Sequence, residues 1–401
     1  MPASGDVLIV GGGIVGLATA YQLASRFPDV RPIVLEKENR VSAHQSGRNS
    51  GVLHSGIYYK PGSLKAVNCR SGKAMMEAFC AEQGIAHEIC GKVIVAVSES
   101  ELPVLKTIFE RGRQNGVRCE WFDGPRLRER EPHAAGIQAI HVPEAGIVDF
   151  RAVCERLRSL IEQAGGTVAL GARVTRIRRV PTEIIAELAD GREFPAAQLV
   201  NCAGLHSDRV VAMSGARPAS KIVPFRGEYY ELLPEARGLC RHLIYPVPDP
   251  NFPFLGVHFT RMVDGSVECG PNAVLAFARE GYRKLDVNLR DLLESLTYSG
   301  FLRLCARHWR PGLGEIRRSF SKRAFVHALR RLIPDASAER LVPGRAGVRA
   351  QALAPDGSMI DDFQIIEGDR AIHVCNAPSP AATSSLRIGE SIVDRIAPRL
   401  D

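Results

Sequence analysis

Residues 44–59, HQSGRNSGVLHSGIYY, crowd two histidines, an arginine and two tyrosines into a segment rich in Gly and Ser. Histidine titrates nearest neutrality and suits general-base work. An arginine fork suits carboxylates and phosphates. The segment has too many Gly and Ser residues for a helix and too little alternation for a strand. A further histidine, His258, alternates with apolar residues in FLGVHFTR. That is the period of a strand, which lets His258 face a site while its neighbours pack. Arg226, in FRGEYY, stands beside Tyr229 and Tyr230, whose hydroxyls can donate hydrogen bonds. The plainer alternative for Arg226 is a buried pair with Glu228. Lys60, which follows Tyr58 and Tyr59, is either a second cationic clamp or a solvated lysine.

The elements that position these residues alternate in type. DVLIVGGGIVGLATAYQLASRF predicts strand, glycine turn and helix, and RPIVLEKE predicts a second strand. Helices are expected over 64–83 and 99–115, with a strand at KVIVAVS between them. Asp149 reads as the N-cap of a helix that stops at Gly165. TVALGARVTRIRR and EIIAEL predict strands around a turn, and AAQLVNCAG predicts a short buried strand. Residues 221–272 are mostly β and 289–333 mostly helical. HVCNAPSPAATSSLRIGESIVDRI predicts a strand, a small-residue loop and a terminal helix from about Ser384. Nucleotide-type βα elements thus occur at the start, middle and end of the chain. The expected class is α/β, a Rossmann-like domain assembled from discontinuous segments around a β-rich second domain.

Gly11, Gly13 and Gly16 fit G-x-G-x-x-G between the first strand and its helix, with Ile14 and Val15 opening that helix. The first glycine allows the tight turn, the second a close backbone approach to a pyrophosphate, and the third helix–strand packing. A helix N-terminus then offers free N–H groups to the phosphates. Glu36 closes the second strand, where a carboxylate accepts from an adenosine ribose hydroxyl. A carboxylate there disfavours a ribose 2′-phosphate, so NADP is disfavoured and FAD and NAD remain. Two loops shift the balance to FAD. Gln45 to Gly51, with Ser46, Arg48, Asn49 and Ser50, is small-residue backbone that can lie against a flat ligand. Residues 376–383, including Ser379, Pro380, Ala381, Ala382 and Thr383, lead into a helix whose N-terminus would stabilise a reduced flavin.

The 401 residues favour two domains or one large α/β domain. The net charge of +8 favours anionic partners, and no nucleic-acid module is recognisable. Ten cysteines form no CxxC pair and hold no zinc spacing with histidine, so reduced thiols and no metal are expected. A first strand opening at Asp6 leaves no room for a leader, and no apolar run reaches about 18 residues. A cytoplasmic protein is expected on those grounds.

The chain resembles the FAD-dependent D-amino-acid-oxidase-type superfamily and, within it, the L-2-hydroxyglutarate oxidases and dehydrogenases. The resemblance rests on VGGGIVGLATA, VLEKE, HQSGRNSGVLHSGIYYKPGSLKA, VNCAGLHSD, VPFRGEYYEL, YPVPDPNFPFLGVHFTR, GPNAV, GVRAQ and HVCNAPSPAATSSLRIGE. It implies an FAD-binding domain of about 1–88, 147–220 and 341–401, and a substrate domain of 89–146 and 221–340. It also implies cofactor contacts at Lys37, Val174, Ala203, Gly204 and Gly347. The implied reaction oxidises L-2-hydroxyglutarate to 2-oxoglutarate.

Such a reaction moves the C2 hydrogen as hydride to flavin N5 and takes a proton off the hydroxyl. His258 is the first candidate base and His54 the second. His54-Ser55-Gly56 also resembles a pattern of amine-oxidising relatives with covalently held flavin, and both modes of attachment stay open. The two substrate carboxylates call for cations. Arg349 in GVRAQ matches a superfamily position that meets a substrate acid group, with Arg226, Tyr230, Tyr58 and Lys60 as further candidates. Another 2-hydroxy diacid, an amino acid, or a flavin-binding scaffold without turnover are the competing readings. The electron acceptor, oxygen or a membrane quinone, is left open. Residues 301–331 hold nine Lys/Arg and one Glu among apolar residues. A solvated basic face is the first reading and peripheral contact with the inner face of a membrane the second.

Overall fold

The structure is a computed structural model that describes residues 7–250 and 254–400. Asp6 and residues 251–253 of the motif YPVPDPNFPFLGVHFTR lie outside them.

A six-stranded sheet forms the first layer. Val7–Val10 runs at its centre, parallel to Pro32–Leu35 on one side and Gln198–Asn201 on the other. Thr167–Ala169 and Ala371–Asn376 extend it in parallel, and Gln364–Glu367 closes one edge antiparallel. The central strands are buried on both faces, and their apolar runs reflect it. Helix Ile14–Arg26 packs on this sheet together with Phe150–Gln163, Leu64–Glu82 and Ser385–Ile396. Asp149 caps Phe150–Gln163 by accepting from the N–H groups of Arg151 and Ala152. TVALGARVTRIRR divides between sheets. Thr167–Ala169 joins the parallel sheet, whereas Val174–Arg179 starts a separate three-stranded antiparallel sheet.

The second layer is a nine-stranded mixed sheet. Lys92–Ala96, Glu120–Asp123 and Gln138–Val142 enter it from one sequence region. Lys221–Leu232, Leu243–Pro246, His258–Arg261 and Val267–Gly270 enter it from another. Lys92–Ala96 lies parallel to Leu243–Pro246, which stitches the two regions together.

Residue 341 opens a strand of the mixed sheet. Leu341–Leu353 does not belong to the parallel sheet; it is the long antiparallel partner of Lys221–Leu232. Gly347 explains how this strand touches both layers. A Cβ there would collide with the carbonyl oxygen of Arg48, so only glycine lets the strand lie against the 44–51 loop.

Candidate functional site

The fingerprint turn is built on close backbone approaches. Gly11 has φ +112°, and a Cβ on it would sit 2.5 Å from the carbonyl oxygen of Cys202. Gly16 does not face the cavity described below. A side chain there would strike the carbonyl oxygen of Gly11, so its role is helix–strand packing. Helix Ile14–Arg26 has no side-chain cap at Gly13, and its N–H groups open towards a ligand. Ser46 Oγ accepts from Ile14 N at 2.9 Å and ties the second loop to that helix end. Glu36 is buried; its two oxygens accept from Gly12 N at 2.8 Å and Glu38 N at 2.9 Å. A carboxylate fixed in this way keeps lone pairs for ribose hydroxyls.

The 44–59 segment is a held loop. Asn49 Nδ2 donates to the carbonyls of Gln45 and Ser46, and its Oδ1 accepts from Gly51 N. Gln45 Oε1 accepts from Ala350 N at 2.9 Å, fastening the loop to Leu341–Leu353. The Arg48 guanidinium stacks 3.9 Å from the Tyr282 ring centre. Thr383, fully buried, accepts from His54 N and donates to the carbonyl of Val52, so the two small-residue loops brace each other. Gly51 has φ +63° and packs on Val148 outside the cavity lining.

Between these loops and the mixed sheet lies a cavity of about 1220 Å³. That exceeds the ~1,000 Å³ upper end of ordinary small-molecule sites and gives room for a dinucleotide beside a small substrate. Gly11, Gly13, Ile14, Val15, Glu36, Lys37, Gln45, Ser46, Arg48, Asn49 and Ser50 all line it. So do Val174, Ala203, Gly204, Gly347 and residues 379–383.

Its far end carries His54, His258, Tyr229, Tyr245, Phe254 and Arg349. His258 is buried on its strand and stacks on Tyr245 with ring centres 4.0 Å apart. Its Nδ1 lies 2.9 Å from the carbonyl oxygen of Gly256. A carbonyl only accepts, so Nδ1 carries the proton and Nε2 keeps a free lone pair. Burial pushes the His258 pKa down to about 3, with the charges of Lys92 and Arg349 adding to it. His54 is held well below its ordinary value, chiefly by burial and then by Lys92. Arg349 lies 5.5 Å from the Phe254 ring centre and pairs with no carboxylate among the described residues. Tyr229 faces the same space, and burial raises its hydroxyl to about 12.

Four expected substrate contacts are not at this end. Arg226 is 4% exposed and paired with Glu228 at 2.9 Å, and Ser319 Oγ also donates to that carboxylate. The plainer alternative holds, because a buried guanidinium needs a counter-charge. On the same strand face Tyr230 turns away to pack on Phe325 at 4.8 Å, whereas Tyr229 faces the cavity. Tyr58 packs into the core beneath the mixed sheet, and Lys60 is exposed. Lys65 does line the cavity, with its ammonium 2.8 Å from Asp361, but the sequence did not single it out. Tyr245 was missed as well. A tyrosine inside the apolar run LIYP was its signal.

Glu38, His44 and Glu280 converge closely enough to hold a metal ion. Lys37 already neutralises both carboxylates, lying 2.6 Å from Glu280, and His206 bonds Glu280 at 2.9 Å.

The family model for FAD dependent oxidoreductases, DAO, matches residues 6–395. The chain belongs to this family. Its cofactor is FAD, and the glycine turn, the fixed Glu36 and the two braced loops fit that group. This flavoenzyme is 50% identical to a protein of Indibacter alkaliphilus named L-2-hydroxyglutarate dehydrogenase, over 97% of this chain and 98% of that one. It is 47% identical to a like-named Escherichia coli K12 protein, covering 98% and 93%. A human mitochondrial protein of that name is 43% identical, covering 100% and 90%. Among solved structures, FAD-bound L-alpha-glycerophosphate oxidase of Mycoplasma pneumoniae superposes with a TM-score of 0.81 at 20% identity, covering 98% and 94%. Glycine oxidase of Geobacillus kaustophilus superposes at 0.72 and 19%, covering 98% and 94%. These two likenesses establish the fold. Among the described residues no helix is long and apolar enough to cross a membrane.

Proposed function

We propose that the chain oxidises L-2-hydroxyglutarate to 2-oxoglutarate. One observation carries this reading: the cavity that starts at the dinucleotide cradle ends on an imidazole with a free Nε2 and an arginine that no carboxylate among the described residues pairs with. The names of relatives at 43–50% identity over nearly the whole chain support the choice of substrate.

FAD held by the glycine turn, Glu36 and the two braced loops would supply the two-electron oxidant for the C2 hydrogen. The chain's own residues do the rest. Arg349 binds a substrate carboxylate through its fork, and Tyr229 donates a hydrogen bond beside it. His258 Nε2 accepts the hydroxyl proton as C2 is oxidised, while the carbonyl of Gly256 fixes its tautomer. Burial keeps that imidazole neutral and its Nε2 free of a proton, while weakening its hold on the proton it accepts. His54, under Thr383 and the small-residue loop, shapes the flavin side of the site. Anaerobic addition of L-2-hydroxyglutarate to the purified flavoprotein is the test. Bleaching of the flavin absorbance by the L but not the D isomer is expected; an oxidised spectrum with both overturns the assignment.

A second reading concerns the acceptor side. Helix Ser299–Phe320 and its approach expose Leu289, Leu293, Leu302, Trp309, Leu313 and Phe320, the last at 76%. Arg303, Arg307, Arg310, Arg317 and Arg318 lie among them. Leu304 and Phe325 are buried, so the remaining apolar side chains have no core to fill. Exposed apolar residues mixed with arginine suit the surface of an anionic bilayer better than bulk water. A quinone would then be the electron acceptor. Sedimentation with anionic vesicles should remove the protein from solution at low salt, and Trp309→Glu with Phe320→Glu should leave it there.

A further inference from the structure

Lys92 is the first residue of a strand buried along its whole length, and it is only 1% exposed itself. Its ammonium lies 4.0 Å from the ring centre of Tyr245 and 5.5 Å from that of Tyr58. Tyr245 is the ring on which His258 stacks, and it lines the cavity. Lys92 therefore stands one side chain behind the substrate end.

What surrounds this ammonium is unusual for a buried cation. The titratable groups facing it are Cys69 on helix Leu64–Glu82, Cys90 in the preceding turn, Tyr58, Tyr245, His54 and His258. None is an anion near neutral pH. Burial pushes the thiols of Cys69 and Cys90 up to about 12 and about 11, and both tyrosines are raised as well. Among the described residues no carboxylate pairs with Lys92, in contrast to Lys65 with Asp361 and Arg226 with Glu228. An interior cation without a counter-charge is held at an energetic cost. The aromatic faces of Tyr245 and Tyr58 offset only part of it. A cation sunk in a dry wall attracts an anion that enters the cavity more strongly than a solvated one does.

We propose that Lys92 is a positioning residue for an anionic substrate: acting through Tyr245, its buried charge draws a substrate carboxylate to the end of the cavity that holds His258. With Arg226 and Tyr230 turned away and Lys60 exposed, Arg349 at this end and Lys92 behind it are cations that no carboxylate among the described residues satisfies. That pairing matches a dicarboxylate, so the proposal rests on the substrate class inferred above.

Burial lowers the Lys92 pKa to about 8. Its charge is therefore present at pH 7 and lost as pH rises through about 8, while Arg349 stays charged throughout. The test uses the oxidised holoenzyme and glutarate, a dicarboxylate with no hydroxyl to oxidise, followed by the shift of the flavin spectrum from about pH 7 to about 9.5. With the flavin oxidised throughout, charge on a reduced flavin cannot imitate the effect. The unsubstituted protein should bind glutarate at pH 7 and lose affinity above about pH 8, by up to about tenfold per pH unit. Lys92→Met should bind weakly with no alkaline loss, and Lys92→Arg should keep affinity to the top of the range, both with full flavin content. A flat pH profile in the unsubstituted protein, or an alkaline loss that survives in Lys92→Met, overturns the role of Lys92 alone. Glutarate that fails to bind at every pH overturns it together with the dicarboxylate reading. The titration of the unsubstituted protein decides even where a variant does not fold.

Discussion

The two ends of the cavity are made of different material. The dinucleotide end is backbone: Gly11, Gly13, helix N–H groups and the small-residue loop 376–383, with Glu36 as the fixed acceptor. The substrate end is side chain: His258, Tyr229, Tyr245 and Arg349, carried on four strands of the mixed sheet. A backbone cradle tolerates little change, whereas a side-chain wall can be altered one residue at a time without disturbing the cradle.

Substitutions should separate the two ends. The largest effect is expected at the cradle. Gly11→Ala forces a side chain into a left-handed conformation and against the carbonyl of Cys202. It should yield protein without flavin, read from the ratio of flavin to protein absorbance. Retention of full flavin would show that the turn can yield. At the other end His258→Asn should keep its flavin and lose about a hundred- to ten-thousand-fold in kcat. With the His258 pKa depressed to about 3, the neutral base exists above that value and is lost only as pH falls through it. The acid side of kcat/KM should thus show no step near 6.5; such a step, absent in His258→Asn, would mean that the imidazole is wetter than its burial implies.

How much of each end was legible in the sequence follows from the same difference. Gly11, Gly16 and Glu36 could be placed because a backbone approach leaves no alternative residue, and the strand–turn–helix context is local. The loops 44–51 and 376–383 were legible for the same reason, through their small residues. The substrate end was not, because a strand hides which of its faces is inside. FRGEYY carries polar groups on both faces, so spacing alone could not choose between Arg226 with Tyr230 and Gly227 with Tyr229. The structure chooses the latter pair, since Glu228 satisfies Arg226 and Phe325 covers Tyr230 on the opposite face. Lys92 left one trace, a charged residue opening the apolar run KVIVA, but its proposed role rests on which distant segments pack around it, and no carboxylate among the described residues pairs with it. That is a property of tertiary structure.

Arg349 and Arg226 sharpen the contrast between a free and a satisfied cation. Arg349→Ala should reduce kcat/KM by about 2–3 kcal/mol of transition-state stabilisation without loss of flavin. Arg226→Ala should do the reverse, destabilising the fold by about 1–3 kcal/mol because it removes the guanidinium that pairs with the half-buried Glu228. Thermal unfolding beside steady-state kinetics of the folded fraction distinguishes them. A kinetic loss in Arg226→Ala equal to that of Arg349→Ala would return Arg226 to the site.

The smallest and most discriminating comparison is between adjacent tyrosines. Tyr229 and Tyr230 share a strand and differ only in the face they take. Removing one hydroxyl removes one hydrogen bond, worth about 0.5–1.5 kcal/mol, or more where its partner is charged. Tyr229→Phe should therefore raise KM or lower kcat/KM by about tenfold, since its side chain lines the cavity beside Arg349, the proposed carboxylate clamp. Tyr230→Phe keeps the ring against Phe325 and should leave both constants unchanged. Equal effects from the two substitutions would mean that catalysis senses the strand as a whole. A tenfold difference would show that a single step along it separates the substrate wall from the core behind it.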